Sequence, residues 1–447
     1  MYLLYSLATL VVFAVAMPYF LYHWIRHGKY AVNLKERLGL LPVSLNLDRE
    51  PSIWIQAVSV GEALTARVIA AGLKEQYPHL RLFVSTTTIT GQQVARQSFP
   101  MADGVFYFPI DLAVIVRRVL DTVRPQLFVM METEIWPNLL RECRARAVRT
   151  VLVNGRVSAR SFPRYRLIRP LFRRVLALVD LFCVQGEETA ARLAALGAPR
   201  DRMTVTGSLK FDALRPQARS TAPGRGDERV LRYFRVAAGR SIVVAGSTMP
   251  GEHEIVLGAF ERVRTLARNP LLVLAPRKPE HFAEAETLSK QAGFRTERRS
   301  ALTIDDEIRA DVVVLDTIGE LAQIYQVATA VFVGGSLVNI GGHNILEPAV
   351  FGKPIVFGPH MQNFAEITEA FLASRAAVQV RSGRELEDVL IRLLADAAER
   401  ERLGEAARAL VEANRGARER SLEAIGALLP PQGGGSASNV LAFPAAR

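Results

Sequence analysis

At 447 residues the chain exceeds one ordinary domain, and a hydrophobic fraction of 49% excludes a disordered protein, so two domains with substantial cores are expected. Two cysteines without metal-ligand spacing, Cys143 and Cys183, exclude a disulfide framework; seven scattered histidines with no H-x-x-x-H or Cys/His cluster argue against a zinc site. The net charge of +12 leaves three kinds of partner open: nucleic acid, an anionic membrane surface or a phosphorylated substrate.

The first element chooses among them. No formally charged side chain stands between Met1 and Ile25, and Leu3 to Leu21 is almost entirely apolar or aromatic. At ~1.5 Å per residue, about 20 helical residues cross the ~30 Å hydrocarbon core. Arg26, His27, Lys29, Lys35 and Arg37 follow at once, and the positive-inside rule keeps that flank, with the chain behind it, in the cytoplasm. A cleaved signal peptide is the rival reading, but no basic residue precedes the run and no small-x-small site closes it. Residues 1–25 are therefore expected to be an uncleaved anchor, with Pro18 allowing a kinked or partly interfacial helix.

After a linker to about Glu50, apolar β runs alternate with helical patterns. Strands are predicted at Ile53–Val58, Leu82–Thr86, Leu127–Met131, Thr150–Val153, Leu181–Val184 and Met203–Thr206, with amphipathic helices such as Glu62–Glu75 and Glu187–Leu196 between them. Ala213 to Arg240, with Pro216, Pro223, Gly224 and many arginines, reads as an inter-domain connection. A second alternation predicts strands at Ser241–Ala245, Leu271–Ala275, Val312–Leu315, Ala330–Val333, Pro354–Phe357 and Ala377–Val380. Helices are expected at Glu252–Ala267, Glu280–Ala292, Asn363–Ala373, Arg384–Ala395 and Arg400–Leu428, before a disordered tail from Pro430. The α/β alternation means two Rossmann-like domains, 26–215 and 216–429, each with a parallel sheet, facing across a cleft.

Acidic and basic residues fall where strands end. Ser59-Val60-Gly61-Glu62 follows the first strand; Glu62 either complements a helix dipole or serves as general base on a substrate hydroxyl. Met131-Glu132-Thr133-Glu134-Ile135-Trp136-Pro137 repeats the pattern with two carboxylates, more than one helix cap needs. In Gly207-Ser208-Leu209-Lys210-Phe211-Asp212, Lys210 is either solvated or a cation for an anionic donor. The arginines from Arg156 to Arg174, interleaved with Phe162, Tyr165, Leu171 and Phe172, suit a phosphorylated lipid at a bilayer surface; a plain solvated helix face is the alternative, and nucleic acid is disfavoured in an anchored α/β protein.

In the second half, Gly246-Ser247-Thr248 and Pro276-Arg277-Lys278 end consecutive strands, and Arg277 suits a phosphate or a base. Ile318-Gly319-Glu320 can present backbone N–H groups to a phosphate. Asp305-Asp306 lacks the D-x-D form that holds a divalent metal with a nucleotide diphosphate. The stretch from Val331 through Gly334, Gly335, Gly341 and Gly342 to Pro359 says most: glycines let backbone N–H groups approach an anionic oxygen, a helix opening near Asn344 favours phosphate, and Glu347 suits a ribose diol. A purely structural strand-to-helix turn remains the alternative; neither a Walker A loop nor G-x-G-x-x-G is present.

Together these motifs resemble one family, the bacterial Kdo (3-deoxy-D-manno-oct-2-ulosonic acid) transferases of lipopolysaccharide synthesis. The carrying residues are Ser59 to Glu62, Met131 to Asn138, Arg156 to Ser161, Thr206 to Asp212, Pro276-Arg277, Gly319 to Leu321, Gly334 to Leu337 and Gly341 to Glu347. The resemblance implies a GT-B glycosyltransferase, inverting, metal-independent and without a cofactor, that moves Kdo from CMP-Kdo to the tetra-acylated lipid A precursor at the inner-membrane surface. It also implies roles: Glu62 as base, Glu132 and Lys210 as transition-state stabilisers, and Pro276, Arg277, Ile318, Gly319, Glu320, Asn344, Ile345, Leu346 and Glu347 as the CMP site. Two positions depart from the family pattern, Gln56 and Lys278, where His is usual. A GT-B-type nucleotide-sugar epimerase and an anchored nucleotide- or lipid-binding scaffold are the alternatives.

Overall fold

The computed structural model describes residues 2, 4–11, 15, 34–158, 161–213, 239–302 and 308–429. Most of the expected anchor, most of the inter-domain connection, Arg160, Asp305-Asp306 and the tail lie outside the described residues. Among the described residues no helix is long and apolar enough to cross a membrane.

The chain divides into two compact units, Met1–Ala213 with Arg415–Arg447, and Leu214–Asn414. Among the described residues the first unit holds one parallel sheet of seven strands: β1 (Ser52–Gln56), β2 (Arg81–Thr86), β3 (Gly104–Tyr107), β4 (Pro125–Met131), β5 (Arg149–Gly155), β6 (Leu181–Val184) and β7 (Met203–Val205), in the order β3-β2-β1-β4-β5-β6-β7. Side chains alternate across it, so Ile53 and Ile55 of β1 join Ala66, Ile69 and Leu73 of helix Val60–Gln76 on one face. On the other face Trp54 meets Phe128 at 4.7 Å between ring centroids, beside Val116, Val119 and Leu120 of helix Ala113–Val123. Both faces are covered, which is why these strands read as continuous apolar runs.

The second unit repeats the plan: β8 (Ile242–Thr248), β9 (Leu271–Pro276), β10 (Thr296–Arg298), β11 (Val312–Val314), β12 (Ala330–Val333), β13 (Ile355–Phe357) and β14 (Val378–Gln379), all parallel, in the order β10-β11-β9-β8-β12-β13-β14. The direction of winding reverses between β1 and β4 in the first sheet and between β8 and β12 at the centre of the second. Ligands of open α/β sheets sit beyond the carboxyl ends of strands at such points.

Three expectations are corrected. β3 and β10 were not foreseen, because β3 is four residues opening on glycine and β10 is the polar edge triplet Thr-Glu-Arg. The single helix expected over Arg400–Leu428 is two, Ala397–Ala413 and Ala417–Leu428, broken at Gly416, whose φ of +91° suits glycine. The second domain does not run to 429, because Ala417–Leu428 belongs to the first unit, where Ala417, Leu422 and Ile425 enter the core around β1. Gly72 makes the close approach feasible, since a Cβ there would stand 2.3 Å from Leu422 Cδ1.

Candidate active site

In the first unit, β1 and β4 deliver three carboxyl groups to the switch point. Glu62 lies in the first turn of helix Val60–Gln76 and bends back, so that Val58 N donates to its Oε2 at 2.8 Å and Ser59 Oγ to its Oε1 at 3.1 Å. Burial pushes its carboxyl up to about 7, against those two bonds and the Lys210 cation, while the charge of Glu132 adds to the rise. A carboxyl poised there takes a proton from a hydroxyl efficiently at neutral pH. Glu132 follows β4 with a φ of +54°, its N–H donating to Val153 O at 3.0 Å. A non-glycine residue held left-handed at a strand end is backbone strain stored where a side chain must be aimed.

Glu134 completes the group, and the sequence reading assigned it no role. Trp136 Nε1 donates to it at 3.1 Å, and burial, with the Glu62 charge next, pushes its carboxyl up to about 7. Its signal was present in the doubled acid of Met131 to Trp136, but nothing in the sequence says that both carboxyl groups come within electrostatic reach of Glu62.

Lys210 follows β7 at the far edge of the sheet, yet it acts electrostatically on Glu62. The loop from Thr206 folds back to make this so. Thr206 N and Gly207 N donate to Val184 O at 3.0 and 3.3 Å, and Leu209 N donates to Asn154 Oδ1 at 3.0 Å. Asn154 is fully buried with a φ of +57°, a conformation asparagine tolerates. Asp212 closes the loop by accepting from Gly416 N and Arg418 N, both at 2.9 Å, so it caps helix Ala417–Leu428. Asn154→Ala orphans the Leu209 N–H, and an expected loss of ~1–3 kcal/mol in stability should accompany about a tenfold lower kcat as Lys210 is displaced. Denaturant unfolding and steady-state kinetics on the same variant check both parts.

Gln56, one of the two family departures, is buried in the sheet; its oxygen accepts from Ser85 Oγ and its amide donates to Thr87 Oγ1 at 3.3 Å. Lys278, the other, is exposed and pairs with Glu280 at 3.3 Å.

In the second unit Pro276 ends β9 and Arg277 leaves it exposed, with Arg277 N donating to Thr248 O at 2.9 Å. Asn344 Nδ2 donates to Glu347 Oε1 at 3.1 Å, while Asn344 Oδ1 accepts from Leu346 N at 3.1 Å. Burial raises the Glu347 carboxyl, opposed by Asn344 and the Arg277 charge. Arg277, Asn344 and Glu347 therefore share one electrostatic neighbourhood. Ile318 is 86% exposed and Gly319 has a φ of +95° with open space around it. Glu320 accepts from Thr317 Oγ1 and pairs with Arg299 at 3.2 Å. Ile345 and Leu346 are fully buried, so their side chains belong to the core and only their backbone can face a ligand. The helix expected near Asn344 is the five-residue Leu346–Val350, a weak dipole.

The glycine stretch is also corrected. Its N–H groups are an anion nest, as expected, but the anion is the chain's own: Glu252 accepts from Gly335 N at 2.6 Å and from Ser336 N and Leu337 N at 2.9 Å each. Gly335 makes room for His343, since a Cβ on it would stand 2.9 Å from the imidazole Nε2. Burial and Arg277 hold that imidazole neutral, pushing it down to about 4. Neither Glu252 nor His343 was singled out from sequence, because Glu252 lies 83 residues from its partner Gly335.

The family model for 3-deoxy-D-manno-octulosonic-acid transferase (kdotransferase) matches residues 32–213. The 3-deoxy-D-manno-octulosonic acid transferase of Haemophilus influenzae is 34% identical over 408 residues, covering 90% of this chain and 92% of that protein. The enzyme of the same description from Bordetella pertussis is 33% identical over 429 residues, covering 93% and 97%. Among solved structures, UDP-GlcNAc 2-epimerase from Neisseria meningitidis bound to UDP-GlcNAc superposes with a TM-score of 0.57 at 10% identity, covering 84% of this chain and 99% of that one. At that identity the likeness is one of fold, two parallel-sheet α/β domains resembling GT-B glycosyltransferases.

Proposed function

The chain belongs to the 3-deoxy-D-manno-octulosonic acid transferase family and is a glycosyltransferase that transfers Kdo, and from that premise we propose CMP-Kdo as its donor and the tetra-acylated lipid A precursor as its acceptor. The observation that carries the proposal is the Glu62 carboxyl, poised near neutrality at the β1/β4 switch point with Glu132 and Lys210 in electrostatic reach. Glu62 takes the proton of an acceptor sugar hydroxyl as its oxygen attacks the anomeric carbon of Kdo. The bond from that carbon to the phosphate oxygen breaks, and CMP leaves with the electron pair and one more negative charge. Attack opposite the leaving group inverts the centre. Lys210 stabilises the developing charge and Glu132 the cationic character of the sugar. No metal is needed, because the charge gained by a monophosphate is small enough for cations and backbone dipoles to hold.

The second unit supplies the nucleotide pocket. Arg277 binds the CMP phosphate or stacks on its base, Glu347 accepts the ribose hydroxyls with Asn344 orienting it, and the open backbone at Ile318 to Glu320 meets the nucleotide. Pro276, Ile345 and Leu346 shape this pocket from behind. Arg277→Ala is expected to weaken CMP binding by about ten- to a hundredfold, the worth of a charge-assisted bond of ~1.5–3 kcal/mol. Calorimetric titration of CMP into the variant checks it, and an unchanged Kd removes Arg277 from the site.

We place the enzyme at the cytoplasmic face of the inner membrane, anchored by its N-terminal apolar run. The reasons are that run, the basic flank behind it and the arginine-studded helices Phe162–Leu167 and Arg169–Leu176, which leave Leu167 84% exposed between Arg164, Arg166 and Arg169. The epimerase alternative is set aside: the sequence kinship over nearly the whole chain is with transferases, while the epimerase shares the fold at 10% identity. The scaffold alternative falls with family membership.

A further inference from the structure

At the switch point of the second sheet, the anion site that an α/β fold offers a ligand is already filled. Glu252 is fully buried, and its two oxygens accept four backbone N–H groups: Met249 N at 3.0 Å and Gly335 N at 2.6 Å on Oε2, Ser336 N and Leu337 N at 2.9 Å on Oε1. Three successive N–H groups converging on one point form a cradle for a phosphate-sized anion. The loop cannot retreat to admit a second one. A Cβ on Gly334 would stand 2.6 Å from Ser247 O, and a Cβ on Gly358 2.2 Å from Ser336 O, so the loop is wedged on both sides by backbone. Ser336 Oγ donates to Val333 O and accepts from Gly358 N at 2.8 Å, which fixes it further.

The filled cradle adjoins the residues assigned to the nucleotide. Arg277 N is bonded to Thr248 O, Gly334 packs on Thr248, and the His343 ring rests on Gly335 while feeling the Arg277 charge. We propose that Glu252 is a specificity-determining residue: its carboxylate stands where a nucleoside diphosphate would put a second phosphate, so the pocket takes donors with a single phosphate and rejects nucleoside diphosphate sugars. The inference rests on the CMP-Kdo reading of this pocket and explains how the pocket enforces it. Two physical effects act together. The N–H donors are consumed, and the carboxylate repels a further anion brought beside it.

The test is calorimetric titration of the full-length protein, and of its Glu252→Ala and Glu252→Gln variants, with CMP, CDP, UMP and UDP. The wild type should bind CDP no more than about threefold more tightly than CMP. Glu252→Ala empties the cradle and should shift the CDP-to-CMP affinity ratio at least about tenfold toward CDP, the factor that 1.4 kcal/mol of new N–H bonding supplies. Glu252→Gln still fills the cradle but loses the charge and one of the two acceptor oxygens, so its ratio should shift toward CDP by less than that of Glu252→Ala, which separates filling from general loosening. A wild type that binds CDP tenfold more tightly than CMP, or a folded Glu252→Ala with an unchanged ratio, overturns the proposal. If Glu252→Ala does not fold, the wild-type ratio decides alone. Failure of the CMP reading looks different, with UMP binding as well as or better than CMP; the phosphate count is then judged from UDP against UMP.

Discussion

Replacing Glu62 by Gln is expected to lower kcat by ~10²- to 10⁴-fold, the usual contribution of a positioned general base, while CMP binding stays at its wild-type value. The amide keeps the size of the side chain and an oxygen for the Val58 N–H, so the pocket survives and only proton acceptance is lost. The pH dependence carries the same signature. Burial raises the Glu62 carboxyl to about 7, so wild-type kcat/KM should rise with pH and level off above an apparent pKa near 7. Stability runs the opposite way. A carboxyl raised in the folded state favours folding while protonated, fully below the unfolded value of about 4.5, and that contribution is lost as pH rises through 7. The Tm of Glu62→Gln relative to wild type should therefore improve between pH 5 and pH 8. Near wild-type turnover in the variant, or a fall in CMP affinity matching the fall in kcat, removes Glu62 from the role of base.

Lys210→Ala is expected to cost about 10²- to 10³-fold in kcat, the range for deleting one preorganised stabilising donor. Its second effect has the opposite sign to a simple binding defect. Lys210 lowers the Glu62 carboxyl, so its removal should move the acid limb of the pH profile upward, to more alkaline pH. A lysine serving only solubility would move neither kcat nor the limb. Parallel pH profiles of wild type and variant read both effects, and Lys210→Arg, which keeps the charge, should hold the limb near its wild-type position.

What the sequence discloses of this fold and site depends on the range of the interactions. Two parallel sheets were legible because strands buried on both faces must be apolar throughout, and Ile53 to Ile55 or Val312 to Val314 can read in no other way. The edge strands β3 and β10 were not, since both are short: β3 is four residues opening on glycine and β10 a polar, charged triplet. Glu62 was legible from its place after β1 at the start of a helix. Glu134 stood in plain sight, but its electrostatic coupling to Glu62 is a property of the fold. Nor did spacing reveal that Asn154 pulls the Lys210 loop back across the sheet, or that Asp212 caps a helix 204 residues further on. The glycine stretch is the most instructive case. Its chemistry, an anion held by N–H groups, was read correctly, but local pattern could not disclose that Glu252 supplies the anion.

The arrangement in the second unit also alters how a nucleotide site should be judged in this fold. Glycines after a strand offer N–H groups, but whether those groups face a ligand depends on what the rest of the chain puts there. In this protein the nucleotide reading rests on Arg277, Asn344 and Glu347, whose side chains interact, and not on the glycines themselves.

The most direct measurement is incubation of the full-length enzyme with CMP-Kdo and the tetra-acylated lipid A precursor in detergent or vesicles, with the mass of every product read. Lipid carrying one or more added Kdo residues and an equivalent release of CMP are expected, both lost in Glu62→Gln. Donor consumption without any Kdo-bearing lipid, or equal product formation by Glu62→Gln, would contradict it.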